Sequence, residues 1–221
     1  MLSCFGGYLR TIVAGDDNQL PPYIAKELDN VASILTWVRK LKGKFAIPIM
    51  LLRTQYRMMP SVGQVVSKNF YEGKLLHAKR SDNRPHLFFH NLGGNTTPMG
   101  TSRYSREDSK KCIEILESYK GKIPPLTYQV LTFYEGQCRD VKQLRGDIDV
   151  CCIDSYQGQE ADIIIVLLSV RNCSLSKFMV SRGRICVGIS RARMNLHIVG
   201  NLGTMVASDI WRDILKGFKK V

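Results

Sequence analysis

Residues 151–172, CCIDSYQGQEADIIIVLLSVRN, decide the fold. β-formers at 150–153 run into a polar elbow, Asp154-Ser155-Tyr156-Gln157-Gly158-Gln159-Glu160, and then into 163–170, which is apolar apart from Ser169. A continuous Ile/Val/Leu run between turn signals is how a strand buried on both faces reads, and such strands belong to parallel sheets covered by helices. A polar loop between two such strands lies at a sheet edge, where open α/β folds take up ligands.

Outward from this stretch, residues 9–14, 47–52, 86–90, 128–133, 148–153 and 195–199 read as further strands. Residues 24–41 carry apolar side chains at 24, 28, 31, 34, 35, 38 and 41, the spacing of an amphipathic helix ended by Gly43. Ser61 is placed to cap a helix reaching about Phe70, with a turn at 72–74. Ser105 and Asp108 form a capping-box-like start for a helix with Cys112, Ile113, Leu116 and Tyr119 on one face, stopped by Gly121. Helices are also expected at 136–144 and 183–193, the latter packed through Ile185, Val187 and Ile189. The Gly/Thr/Asn/Pro-rich stretch 93–102 reads as a loop. Alternating strands and helices from 47 to 200 predict an α/β fold with a mainly parallel sheet and helices on both faces.

Composition narrows the partners. Thirty-two Lys and Arg against 19 Asp and Glu give +13 and a pI near 9.5, which suits a polyanion, nucleic acid or nucleotide phosphate, and equally suits a solvated basic surface. The seven cysteines (4, 112, 138, 151, 152, 173, 186) show no CxxC pair and no zinc spacing, so no residue is assigned to a metal and a reducing intracellular compartment, cytoplasmic or nuclear, is expected. No apolar run is long enough to span a membrane.

Four polar segments remain: GDDNQLPP (15–22), RTQYRMMP (53–60), DSYQGQEAD (154–162) and GRICVGISRAR (183–193). The first three follow expected strands, whose ends converge on one edge of a parallel sheet. Glutamines, an aromatic and several arginines are the groups that read a base, a ribose and a γ-phosphate. Each segment alone is weak; their order is not. It closely resembles superfamily 1 helicases of the up-frameshift/senataxin-like branch, in which GDxxQLPP, a QYRM loop, (V/T)DSxQGxExD and RxxVAxTRAR follow one another. A strand ending in Tyr134, with Gln137 three residues on, is a minor feature of the same family. RICVGISRAR with DSYQGQE is also similar to the subgroup carrying NFX1-type zinc fingers, though no fingers are present.

The resemblance implies a RecA-like P-loop NTPase fold, with residues 1–45 ending a first RecA-like domain plus a linker helix. Residues 46–204 would be the second RecA-like domain, and 205–221 a basic helix or tail. It implies that Gln19 senses γ-phosphate beside Asp16, and that Arg57 and Arg191 act as arginine fingers. Tyr56, next to Gln55, would stack on adenine, and Gly158 and Glu160 would approach the nucleotide, Glu160 at the ribose. Asp154, Ser155, Tyr156 and Gln157 would meet single-stranded RNA or DNA. Simpler readings stand beside three of these: Asp16 caps its own turn, Asp154 orients Arg191, Tyr156 belongs to the core. Gly183, Cys186 and Gly188 depart from the family's usual residues. No GxxxxGK[ST] and no Asp-Glu pair behind an apolar strand occurs. ATP and Mg²⁺ are therefore expected to be held mainly by an upstream RecA-like domain, and the chain alone is not expected to hydrolyse ATP. A non-enzymatic nucleic-acid-binding or regulatory helicase remnant is the alternative.

Overall fold

The computed structural model describes residues 12–21, 34–41, 47–122 and 124–221. The strands are β1 (Thr54–Gln55), β2 (Leu76–His77), β3 (Leu87–Asn91), β4 (Thr97–Met99), β5 (Ser102–Tyr104), β6 (Tyr128–Thr132), β7 (Val150–Cys152), β8 (Ala161–Leu167), β9 (Ala192–Gly200) and β10 (Lys219–Lys220). The α-helices are α1 (Ile34–Leu41), α2 (Pro60–Phe70), α3 (Arg106–Glu117), α4 (Glu135–Leu144), α5 (Arg182–Ile189), α6 (Leu202–Met205) and α7 (Asp209–Leu215). Six strands form one sheet in the order β10-β3-β9-β8-β6-β7, and every pairing in it is parallel.

β8 shows why the fold forms. Its side chains alternate between two apolar clusters, as the period-two geometry of a strand requires. Ile163, Ile165 and Leu167 face Cys112 and Ile115 of α3 and Val141 of α4. Ile164 and Val166 face Val62 and Val66 of α2, Val187 of α5 and Trp211 of α7. Each such Ile, Val or Leu contributes roughly 1.5–3 kcal/mol by leaving water, so a strand apolar throughout is stable only between two helical layers. The expected α/β architecture is the one observed.

Local signals hold where they are chemical. Ser105 Oγ accepts from Asp108 N at 3.3 Å and opens α3. Gln137, fully buried, accepts from Ser105 N at 2.7 Å and donates to Ser109 Oγ at 2.6 Å, tying α4 to the start of α3. Glu72 (φ 55) and Gly73 (φ 74) make the turn after α2. That helix opens on Pro60 rather than on a Ser61 cap, because proline needs no N–H partner in the first turn and its φ is already helical.

Other expectations need correction. Residues 47–52 form no strand and are largely exposed; strand structure needs a partner's hydrogen bonds, which apolar side chains do not provide. Of the strand expected at 9–14, residues 12–14 are irregular and 9–11 lie outside the described residues. The 24–41 helix is observed over α1 alone, with 24–33 and Gly43 outside the described residues. The 93–102 loop contains β4, paired antiparallel with β5. The 183–193 helix stops at Ile189, because Ala192 and Arg193 already belong to β9. In the C-terminal stretch, α7 buries Trp211 completely and β10 adds an edge strand beside β3.

Candidate functional site

Parallel register assembles the site. Ala161 pairs with Ala192, and Ala161 N donates to Arg191 O at 3.3 Å. Glu160 and Arg191, each one residue before its strand, are therefore neighbours at the N-terminal ends of β8 and β9. Arg57 enters from the loop between β1 and α2. The Gln55 side chain shapes that loop by accepting from Met58 N at 2.8 Å and donating to Met58 O at 3.0 Å. With both ends of its amide engaged, Gln55 holds Tyr56 and Arg57 at the loop's tip. Tyr56 is 74 % exposed. Arg57 Nε meets Glu160 Oε2 at 2.5 Å and its Nη1 donates to Ser190 O at 3.2 Å. Arg57 in turn holds the Glu160 carboxyl below the usual carboxylate range. Gln55, Tyr56, Arg57, Met58 and Glu160 line an open pocket of about 430 Å³.

Arg191 forms the inner wall. Buried at 2 % exposure, it donates to Val187 O (3.2 Å), Gln159 O (3.5 Å), Ser190 Oγ (3.0 Å) and Gln19 Oε1 (3.1 Å). All four acceptors are neutral, and among the described residues Arg191 has no ion-pair partner. Burial, with Arg57 nearby, lowers its pKa from the ordinary guanidinium value. Gln19 Nε2 donates to Asp16 Oδ2 at 2.8 Å, Asn18 N to Asp16 Oδ1 at 3.0 Å, and Tyr71 OH also to Asp16 Oδ2. Asp16 thus caps its own turn and in addition orients Gln19. Gly183 makes this approach possible: a Cβ there would stand 2.8 Å from Gln19 O.

The elbow 154–160 is longer in reach than a loop at one edge. Cys152 is level with Thr132, and Thr132 with Leu167, near the C-terminal end of β8. Ala161 begins β8 at its other end. The connection therefore crosses the sheet face as a 3-10 turn, Ile153–Tyr156, with Ile153 and Tyr156 buried in the core, followed by Gly158 at φ +88, a left-handed conformation that suits glycine. This corrects the expectation that the loops gather where strands end: Glu160 and Arg191 sit where β8 and β9 begin. Asp154 and the exposed Ser155 lie at the elbow's opposite end. Asp154 pairs with Arg184 at 2.9 Å rather than with Arg191, and Ser155 Oγ donates to Cys152 O at 2.8 Å. Gln157 is exposed, whereas Tyr156 packs against the core.

Sequence reasoning missed Tyr71, Arg184, Lys79 and Arg193. Lys79 Nζ donates to Arg57 O and, at 2.9 Å, to Arg193 O, and Arg193 reaches Glu160 at 3.7 Å. No motif marks Tyr71 or Lys79, whereas Arg184 and Arg193 lie within the GRICVGISRAR segment (183–193), which carried a signal without assigning them a role. Arginines, an exposed tyrosine and a carboxylate fit the phosphates, base and ribose of a nucleotide. The site does not fit Mg²⁺, because Asp16 is engaged by Asn18, Gln19 and Tyr71, and Glu160 by Arg57.

A family profile described as "AAA domain" matches residues 35–203. The chain is 28% identical over 244 residues to Helicase sen1 of Schizosaccharomyces pombe, covering 95% of this chain and 14% of that protein. It is 27% identical over 243 residues to ATP-dependent helicase NAM7 of Saccharomyces cerevisiae, covering 97% and 25%. Against human NFX1-type zinc finger-containing protein 1 the identity is 27% over 225 residues, covering 92% and 12%. The chain thus spans a quarter or less of these relatives. Among solved structures, the C-terminal domain of a possible DNA helicase from Lactobacillus plantarum WCFS1 superposes with a TM-score of 0.52 at 14% identity, covering 75% of this chain and 98% of that one. That likeness concerns the fold.

Proposed function

Because the chain belongs to the AAA-domain family of superfamily 1 helicases that includes the Sen1- and NAM7-type enzymes, we propose that it is the C-terminal motor half of an ATP-dependent RNA or DNA helicase. The observation that carries this reading is Arg191, a buried guanidinium held only by neutral acceptors. Burial without an ion-pair partner disfavours the charge, with Asp16 offsetting this only in part, so an anion arriving beside it is favoured. A γ-phosphate held by the P-loop and Mg²⁺ of an upstream RecA-like domain is such an anion, and ATP supplies the phosphoryl group to be transferred.

In this scheme Arg191 and Arg57 neutralise charge on the transferring phosphoryl, and Gln19 links Arg191 to Asp16. Tyr56 is free to stack on the base. Glu160 pairs with Arg57, and exchange of that partner would free Arg57 for phosphate and Glu160 for the ribose hydroxyls. Single-stranded nucleic acid would meet the elbow's far end through Asp154, Ser155 and Gln157. Tyr156 contributes there by packing.

The test is strand-stimulated ATPase of the chain alone and mixed with a separately expressed P-loop domain of a Sen1-type helicase. No turnover is expected alone and turnover is expected in the mixture; hydrolysis by the isolated chain sinks the proposal. The +13 charge favours a second reading, a non-enzymatic binding module for single strands. It is distinguished by salt-sensitive strand binding with no turnover in any mixture.

A further inference from the structure

Two thiols that sequence spacing leaves unrelated meet at the far end of the elbow. Cys138, in the first turns of α4 and buried, and Cys152, the half-exposed last residue of β7, bring their sulfurs to 3.9 Å. Glu135, the first residue of α4, places Oε2 3.7 Å from Cys152 Sγ, and the three ligand atoms lie within 4.8 Å of one another. Thr132, the register partner of Cys152, sets its hydroxyl 3.1 Å from Cys138 Sγ. Cys151 points to the opposite face of the sheet and takes no part.

We propose that Cys138, Cys152 and Glu135 form a binding site for one thiophilic divalent cation of the zinc class. The sulfur separation suits two ligands on one ion. At Zn–S bonds of about 2.3 Å, tetrahedral geometry puts two thiolates about 3.8 Å apart, whereas a disulfide requires about 2.05 Å. The observed 3.9 Å between the two free thiols already matches the spacing of two ligands on one ion. The ligands stand on a helix and a strand of the core, so they are placed before the ion arrives. Glu135 and the exposed side of Cys152 leave an entry path and room for a water as fourth ligand. Binding forms two metal–sulfur bonds and releases two thiol protons to solvent, with no change of oxidation state. Because Cys152 immediately precedes the 3-10 turn, a bound ion ties α4 to the start of the elbow.

The experiment is a titration of the reduced full chain with Cd²⁺, read by thiolate-to-metal charge transfer, and with Zn²⁺ against a chromophoric chelator. One ion per chain is expected, with a raised Tm. The band should be lost in Cys138→Ser and in Cys152→Ser and kept in Cys173→Ser. In Glu135→Gln, affinity should weaken by roughly tenfold or more. Should Cys138→Ser fail to fold, the half-exposed Cys152→Ser carries the test. Binding unchanged in both variants, or no binding together with a peroxide-induced Cys138–Cys152 disulfide, overturns the proposal.

Discussion

Two arginines are buried almost equally among the described residues, and their surroundings differ in one respect. Arg171 meets the carboxylate of Asp108, both side chains at 1 % exposure or less, and donates through Nε to Gly93 O at 2.7 Å. Asp108 also accepts from Ser169 N at 2.9 Å, where the chain turns with φ 58 after β8. Arg191 has comparable burial and more hydrogen bonds, yet no carboxylate. The first arginine is neutralised within the fold and braces α3 against the end of β8. The second is held by neutral acceptors alone, as the proposed finger role requires. A counter-ion, more than burial, separates Arg171 from the group proposed to meet phosphate.

The sharpest way to break this comparison is Arg191→Ala in the reconstituted ATPase. Turnover should fall by roughly 10³-fold or more, the scale of a lost arginine finger, while Tm stays close to that of the parent chain. A fall in Tm matching that of an Arg171 variant would make Arg191 a second strut.

Next in size, Arg171→Ala should cost about 3–5 kcal/mol in denaturant unfolding, because it strands a buried carboxylate. Removing both partners, Arg171→Ala with Asp108→Ala, should recover part of the loss. A single variant as stable as the parent would show that the pair braces nothing.

A third contrast is with cationic groups kept neutral. His197 Nδ1 lies 2.9 Å from His90 Nε2, and its Nε2 lies 2.9 Å from Tyr119 OH. Burial pushes the pKa of His90 down to about 4 and that of His197 to about 3. The unfolded chain takes up protons near pH 6.5 while the folded chain resists until these lower values. Stability is therefore full above about pH 6.5 and falls with acid by roughly 1.4 kcal/mol per pH unit for each histidine. Unfolding between pH 7 and 5 should show this slope, and His197→Gln should flatten it by one proton's worth; an unchanged slope would place the acid sensitivity elsewhere.

The smallest effect belongs to the surface pair. Glu160→Gln releases Arg57, and with both groups about a third exposed the stability loss should stay below about 1 kcal/mol. The carboxyl pKa is depressed, so the pair's contribution is present above the ordinary carboxylate range and disappears as pH falls through the folded value. A loss of several kcal/mol would mean that the Arg57–Glu160 contact is structural.

Much of this was legible in residue patterns. The double burial of β8, the Ser105 cap and the turn at Gly73 follow from local chemistry, and the four ordered segments point to Gln19, Arg57, Glu160 and Arg191, which the fold brings together. The exposed run 47–52 was misread because strand propensity cannot supply a hydrogen-bonding partner. Tyr71 and Lys79 could not be found, since a single residue forms no pattern and each acts across a long stretch of chain, and Arg184, though inside segment 183–193, shows its partner Asp154 only in the fold.

By itself, then, the sequence determined which strands are buried on both faces, where helices begin, and which family's loops the chain carries, because these depend on neighbours a few residues apart. Only the tertiary structure decided that 154–160 runs across the sheet face from the C-terminal to the N-terminal ends of the strands. It alone decided that Arg191 faces Gln19 without a counter-ion, and that Cys138 and Cys152 meet. Those facts depend on strand register and on the order of strands in the sheet, which set distances between residues that the linear spacing does not contain.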